Sequence, residues 1–330
     1  NHNIDVALLR RWLTRQGVSD TLINRALHEL IKVATDTSKS LYDRNQDVYD
    51  LLRYGVKVQP GAGENRDTVW LIDWEHPENN DFAIAEEVTV KGVDLANAAK
   101  ASTKRPDLVI YINGIALGML ELKRSTVSVA EGIRQHLDNQ KKAFIQPFFS
   151  TQQWLMAGND SEGLRYATIE TPEKYWRRWV EDGGPVAQEP NLLDRQLLQV
   201  CEKARLLELI HDFVVFDAGV KKLCRQNQYF GVKAAQAFLR RREGGILWHT
   251  QGSGKSLTMV WLAKWILENI PGSRVLIITD RTDLDGQIEK VFLGVQQRIY
   301  RTRSGADLTE KLNGTEHALI CSLVHKFGRQ

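Results

Sequence analysis

The chain of 330 residues has no apolar run close to the roughly eighteen residues that span a bilayer, which argues against a membrane-spanning protein. Its polar start, Asn1-His2-Asn3, does not read as a signal peptide. Cysteine is scarce: Cys201, Cys224 and Cys321 are too few and too scattered for a disulfide framework or a zinc site. A reducing cytoplasm is the expected location. Internal repeats and low-complexity tracts are missing as well. With 42% hydrophobic residues, 26% charged residues and only 8 prolines, the composition is that of a globular protein and excludes a disordered tail.

The net charge of +3 is small but unevenly distributed. Residues 1–190 hold 23 Lys and Arg against 27 Asp and Glu, a net of −4; residues 191–330 hold 21 against 14, a net of +7. A basic second half is a surface that nucleic acid or nucleotide phosphate can use. Apolar residues recur at helical spacing through the first forty residues, with Ser19-Asp20 as a helix start. From Val56 to Val93 the pattern changes to short strand-like runs, 68–72 and 82–84, separated by turn residues. Residues 107–123 read as a hairpin around Asn113-Gly114, followed by a helix over about 129–144. Residues 181–190 carry no periodic pattern and read as a linker. Helices are expected over 192–217 and 228–242, then a strand over 246–248, a helix over 256–269 and a strand over 274–279. That alternation implies an α/β unit with a parallel sheet.

Asp107, Glu121 and Lys123 form the first chemical constellation. Two neighbouring carboxylates can hold a divalent cation, usually Mg²⁺, which acidifies a bound water and neutralises charge on a scissile phosphate. Lys123, two residues after Glu121, lies on the same strand face and can position that water and stabilise the developing charge. The geometry sets a condition. A strict two-residue turn at Asn113-Gly114 would pair Asp107 with Leu120 and turn Glu121 to the opposite face. Shared metal binding requires a longer loop or a bulge, and Gly118 is a candidate bulge site.

The second constellation is His249-Thr-Gln-Gly-Ser-Gly-Lys-Ser256, between an apolar run and a helix-forming one. This is a phosphate-binding loop with histidine where the strict pattern has glycine. Gly252, Ser253 and Gly254 let backbone N–H groups curl around the phosphates of ATP. Lys255 reaches the β- and γ-phosphates, and the Ser256 hydroxyl ligates Mg²⁺. Gln228, 27 residues before Lys255 and ahead of a helix, is a candidate reader of the adenine edge. Asp280, which follows the apolar run 274–279, has the shape of a Mg²⁺-binding acid at a strand end. No Asp-Glu-x-His box occurs.

The segment Arg105-Pro106-Asp107-Leu108-Val109 … Leu120-Glu121-Leu122-Lys123 resembles the PD-(D/E)xK nuclease core. By that resemblance Asp107 and Glu121 are metal ligands and Lys123 is the catalytic lysine. A third acid often comes from an upstream helix, with Asp43, Asp47 and Glu64 as candidates here. More broadly, Leu41-Tyr42-Asp43-Arg44-Asn45, Asn79-Asn80-Asp81-Phe82, Trp248-His249-Thr250, Asp280-Arg281-Thr282-Asp283-Leu284-Asp285-Gly286-Gln287 and Ser322-Leu323-Val324-His325-Lys326-Phe327 resemble the restriction (motor–nuclease) subunit of type I restriction–modification enzymes. In that family the last two segments are superfamily 2 helicase motifs facing DNA, which reassigns Asp280 and makes Arg281 and Lys326 candidates for the DNA track. Gln135 matches the glutamine of the family's Gln-x-x-x-Tyr element, while Asn139 replaces its tyrosine, so Gln135 alone is carried over. Gln228 matches the family's adenine-reading glutamine.

The resemblance implies an α/β chain with two domains. Residues 1–185 would be a PD-(D/E)xK endonuclease domain with a mixed sheet flanked by helices. Residues 186–330 would be linker helices and the first part of a RecA-like ATPase domain, expected to be cut short. It further implies Mg²⁺ and ATP as cofactors, double-stranded DNA as substrate, methyltransferase and specificity subunits as partners, and no membrane. The implied activity is ATP-driven DNA translocation with cleavage of both strands. The alternatives are a helicase–nuclease of another defence or repair system, or a DNA- and nucleotide-binding module without activity.

Overall fold

Leu9, Trp12 and Leu13 share one face of Val6–Arg15 (α1), and Ile23, Ala26, Leu27 and Leu30 share one face of Asp20–Ala34 (α2). In a computed structural model of the protein both helices bury those faces. The structure describes residues 3–61, 63–92, 102–181, 183–280, 288–289, 291–295 and 297–328. Asp5 caps α1 by accepting from Leu8 N, and Ser40 caps Leu41–Tyr54 (α3) by accepting from Asp43 N. Val56–Val58 (β1) and Asp67–Val69 (β2) form a small antiparallel ladder. The run expected over 68–72 ends at Val69. Beyond it Asp73 and Asn80 exchange hydrogen bonds, Asp73 N to Asn80 Oδ1 and Asn80 Nδ2 to Asp73 O, and these close a loop instead.

The main sheet is built from Phe82–Glu86 (β3), Leu108–Ile112 (β6), Ile115–Leu122 (β7), Trp154–Asn159 (β8), Gly163–Ala167 (β9) and Arg177–Arg178 (β10); Val90–Lys91 (β4) and Thr103–Lys104 (β5) pair separately. Its order is β10-β9-β8-β7-β6-β3. β7 and β8 run parallel and the other pairs antiparallel, so the sheet is mixed, as expected. The parallel pair needs a crossover, which Val129–Asn139 (α4) supplies. Val129 and Ile133 of α4 pack on Val109, Met119, Leu155 and Ala157 of the sheet. α4 ends at Asn139, short of the expected 144, and Gln146–Ser150 forms a 3₁₀ turn after it.

Two compact units emerge: residues 1–211 with 219–221, and 212–218 with 222–330. The division falls near 211 rather than at 185, because Leu192–Val200 (α5) and Lys203–Asp212 (α6) are tied to the first unit. Gln196 accepts from Leu164 N and donates to Trp179 O. Glu181, inside the expected linker, pairs with Arg205 at 2.6 Å, and Tyr49 Oη donates to the carbonyls of Ile210 and His211.

The helix expected to reach 217 stops early, because the β-branched and aromatic run at 214–217 forms Val214–Asp217 (β11), paired with Val220–Leu223 (β12). The second unit continues with Gln226–Arg240 (α7), Lys255–Asn269 (α8), Val275–Thr279 (β13), Tyr300–Arg301 (β14), Gly305–Asn313 (α9) and Leu319–Leu323 (β15). Its sheet, β13-β15-β14, is parallel throughout. The strand expected over 246–248 is not formed: Ile246 is 87% and Trp248 91% exposed. An apolar run becomes a strand only with a ladder partner, and this segment has none among the described residues. No described helix is long and apolar enough to cross a membrane.

The turn joining β6 and β7 is buried. Asn113 has φ of 52° and Gly114 of 83°, the pair of left-handed conformations that a tight hairpin needs. Asn113 Nδ2 donates to Leu71 O and Asn80 Oδ1, and Asn113 Oδ1 accepts from Asp81 N. Asp5 N donates to Gly114 O at 2.7 Å. A Cβ on Gly114 would sit 2.8 Å from Asp5 O and 2.9 Å from Leu8 Cβ. Gly114→Ala therefore meets both backbone strain and a clash, and is expected to destabilise the first unit by about 2 kcal/mol or more. Urea unfolding followed by tryptophan fluorescence measures this, and an unshifted midpoint would contradict it.

Candidate functional site

The hairpin combines a two-residue turn with a one-residue register shift. Ile112 pairs with Ile115 and Tyr111 with Ala116, but Ile110 pairs with Gly118, Val109 with Met119 and Leu108 with Leu120. Leu117 is the extra residue of a β-bulge. The backbone it displaces is satisfied from the segment before β8: Gln153 N donates to Leu117 O and Thr151 Oγ1 to Ala116 O. Gly118 leaves room for the side chain of Ile110, whose Cβ would lie 3.3 Å from an added methyl. One step further along the shifted register, Asp107 lies opposite Glu121. The condition set by the sequence is met by the bulge beside Gly118.

Glu121 is fully buried on β7, and Gln135 of α4 and Lys123 close on it. Gln135 Nε2 donates to Glu121 Oε2 at 2.6 Å, and Lys123 Nζ donates to Gln135 Oε1 at 2.8 Å. Lysine can only donate, so the carbonyl of Gln135 faces Lys123 and its amide N–H faces Glu121. Asp107 Oδ2 accepts from Leu122 N at 2.7 Å, which turns its carboxylate toward the end of β7. Burial, and then the charge of Asp107, push the Glu121 carboxyl up to about 8, with Lys123 opposing.

Glu121 Oε1 is buried without a hydrogen-bond partner. That orphaned oxygen, with Asp107 across the ladder, is a hard-oxygen donor set of the kind that suits Mg²⁺, which takes one or two carboxylates and keeps its remaining positions for water and phosphate. None of the candidate third acids joins it: among the described residues no cluster of three metal-ligating side chains occurs. Asp47 pairs with Lys39 and Asp43 accepts from Ser40, while Glu64 lies in an exposed loop near Gly61.

Sequence reasoning passed over His136. It is fully buried behind Gln135, with Nε2 2.7 Å from Met156 O, and burial pushes it down to about 4, so the ring is neutral and donates from Nε2. The bond anchors α4 to β8. A histidine on an apolar helix face carries no sequence signal that separates this role from simple packing.

In the second unit the candidate phosphate loop holds two of its glycines in the left-handed region. Gly252 and Gly254 adopt φ of 76° and 84°, and α8 begins at Lys255. Lys255 Nζ donates to the carbonyls of His249 and Thr250 within its own loop. Ser256 follows in the first turn of α8, and the Ser253 hydroxyl is buried without a partner. Gln228 stands inside the first turn of α7 rather than ahead of the helix, and is 1% exposed. Its Oε1 accepts from Arg225 N, and its Nε2 donates to Gly254 O at 2.9 Å. It therefore braces the loop, and reading an adenine edge would require exchanging one of these bonds. Arg225, also passed over in the sequence, donates to Gly252 O. Asp280 is exposed after β13, Lys326 is tied to Thr302, and Arg281 lies outside the described residues, as does the rest of 281–287.

Comparison with known proteins bears on both units. Residues 5–174 match the family model of the type I restriction enzyme R protein N terminus, and residues 227–330 match the SWI2/SNF2 ATPase model. A Methanocaldococcus jannaschii protein provisionally named as the MjaIXP endonuclease subunit of a type I restriction enzyme is 29% identical, over 99% of this chain and 34% of its own length. The type I restriction enzyme HindI endonuclease subunit of Haemophilus influenzae is 28% identical, over 84% of this chain and 28% of its own. The SsaAORF53P endonuclease subunit of Staphylococcus saprophyticus is 25% identical, over 86% and 30%. The chain thus spans about a third of the length of these curated relatives.

The Glu121 carboxyl gives a signed pH dependence. A carboxyl whose folded value is raised holds its proton in the folded state. Its contribution is therefore most favourable below about 4.5 and is lost as pH rises through about 8. Glu121→Gln removes that penalty. Without divalent metal, its melting temperature should exceed that of the unaltered protein at pH 8.5, and the gap should close at pH 5. A gap independent of pH would show that Glu121 does not titrate in this way.

Proposed function

We propose, from the premise that this chain belongs to the family of the type I restriction enzyme R protein N terminus, that its first unit is a Mg²⁺-dependent DNA endonuclease and its second an ATP-binding part of a DNA-translocating motor. The finer architecture in this reading is a PD-(D/E)xK nuclease fold within the first unit and a RecA-like fold within the second. The observation that carries it is the bonded chain Glu121–Gln135–Lys123, with Asp107 brought opposite Glu121 by the bulge.

The reaction is hydrolysis of a phosphodiester: water attacks phosphorus and the bond to the leaving sugar oxygen breaks. Asp107 and Glu121 would hold the cation, with Glu121 Oε1 as the donor that otherwise has no partner. Bound there, Mg²⁺ would acidify a water and neutralise charge on the scissile phosphate. For Glu121 to serve it must give up its proton, which its raised pKa makes costly until a cation offsets the charge. The positive charge of Lys123 would face the phosphate oxygens as negative charge builds on them. Gln135 orients both groups, with its carbonyl on the lysine and its amide on the glutamate.

In the second unit Gly252, Ser253 and Gly254 would cradle the phosphates of ATP. Lys255 would leave its loop carbonyls for the β- and γ-phosphates, and the Ser256 hydroxyl would meet the accompanying Mg²⁺. Gln228 would adjust the loop and reach adenine through the same amide. In this reading the whole protein is a type I site-specific deoxyribonuclease acting in the cytoplasm on double-stranded DNA. Methyltransferase and specificity subunits would supply the recognition for which this chain has no base-reading motif.

Two substitutions in the complete reconstituted enzyme separate the sites. Lys123→Ala should reduce DNA cleavage at least about a hundredfold while ATP hydrolysis stays within about twofold. Lys255→Ala should abolish ATP hydrolysis, and with it the cleavage that depends on translocation. Cutting at the normal rate by Lys123→Ala would refute the nuclease assignment, and normal ATP turnover by Lys255→Ala would refute the phosphate loop.

A further inference from the structure

Gly132 stands in the interior of α4, a position where glycine weakens a helix and alanine would strengthen it. It is buried, and the space beside it is tight on the side of Ala157. A Cβ there would lie 3.2 Å from Ala157 Cβ, 3.5 Å from Glu121 Cβ and 3.5 Å from Glu121 O. Ala157 and Glu121 are partners in the β7–β8 register, so all three contacts fall on one spot of one sheet face. Gln135 is three residues further along α4, on the same side of the helix. We propose that Gly132 is a positioning residue for the proposed cleavage chemistry: the side chain it lacks sets the height of α4 above Glu121, and so places Gln135 within reach of both Glu121 and Lys123.

The tolerance is narrow. The bonds of Gln135 to Glu121 and from Lys123 are 2.6 Å and 2.8 Å, and a group displaced by part of an ångström from a reacting geometry already costs rate. A methyl at 132 requires a displacement of a few tenths of an ångström from Ala157, whose Cβ is 3.2 Å away and is not the end of a flexible side chain, while the Glu121 atoms at 3.5 Å stay in ordinary contact. The helix cannot slide freely to relieve it, since His136 is bonded to Met156 O one turn along. The reciprocal residue is Ala157: removing its methyl opens the same space from the strand side.

This inference rests on the nuclease reading, and the test separates the two. In the complete enzyme, Gly132→Ala should lower the cleavage rate by about five- to twentyfold, with ATP hydrolysis and the KM for DNA unchanged. Adding Ala157→Gly should restore cleavage to within about threefold of the original rate. In a Gln135→Ala background, Gly132→Ala should produce no further loss, because the two act through one contact. Additive losses in that background, or a double variant Gly132→Ala with Ala157→Gly that stays as slow as Gly132→Ala alone, would overturn the proposal. So would normal cutting by Gly132→Ala beside an inactive Lys123→Ala. If Gly132→Ala alone does not fold, the double variant must fold and cut; its failure would equally overturn the proposal. Active cutting by Lys123→Ala would instead remove the nuclease reading beneath it.

Discussion

The candidate nuclease site depends on one extra residue in one strand. Because side chains alternate with a period of two, shifting β6 against β7 by a single position would move Glu121 to the opposite face from Asp107. The bulge at Leu117 makes that shift, and two features hold it in place. On one side the buried turn at Asn113-Gly114 is clamped by Leu71, Asn80, Asp81 and Asp5, so the hairpin cannot slip at its closed end. On the other the carbonyls of Ala116 and Leu117 are satisfied by Thr151 and Gln153, so the irregular backbone carries no orphaned acceptor into the core. The family segment Asn79-Asn80-Asp81 thereby acquires a physical role at a distance from any chemistry: it holds the turn that sets the register.

A second constraint follows from placing Glu121 at the centre of the sheet. A fully buried carboxyl beside another acid is unfavourable in its charged form, and its hydrogen bond from Gln135 offsets only part of that. The fold tolerates the cost because the surrounding layer is large and apolar, with Val109, Met119, Ile133, Leu155 and Ala157 packed around it. Lys123, at the end of β7, gives a nearby positive charge without having to be fully desolvated itself. In the proposed reading the arrangement gives up stability for a carboxylate whose charge a bound cation would offset, a compromise common where chemistry requires a perturbed group.

How far this was legible in the sequence varies with the kind of interaction. The hairpin was legible because Asn-Gly between two apolar runs is a local signal, and the left-handed turns at Gly252 and Gly254 because glycines answer to local φ values. The bulge was legible only as a condition: Gly118 marks a permissible place, whereas the shift itself depends on Thr151 and Gln153, more than thirty residues away. The strand expected over 246–248 failed because apolar composition specifies a preference for burial and not a ladder partner. The boundary expected at 185 moved because Gln196 and Arg205 bind backward onto Trp179 and Glu181, and long-range polar bonds leave no periodic trace. Gln228 was legible as a residue of interest, but its engagement at both ends of the amide was not.

The two proposed sites differ in how their key lysines are held, and the difference bears on how each can work. Lys123 is bonded to Gln135, twelve residues away on another element, through a chain that ends at a buried acid. Its position is thus set by a side chain that is itself held against the buried Glu121. Lys255 bonds carbonyls five and six residues away within one exposed loop. Those bonds can be exchanged for phosphate oxygens without repacking anything, at the modest net cost of one hydrogen bond for another. A site that must cut only at a defined geometry benefits from the first arrangement. A site that must take up and release a nucleotide in every cycle benefits from the second, because a rigidly held lysine would have to break core contacts each time. Gln228 and Arg225 extend the same logic to the loop: they support it through bonds to the backbone carbonyls of Gly252 and Gly254 and take up none of its N–H groups.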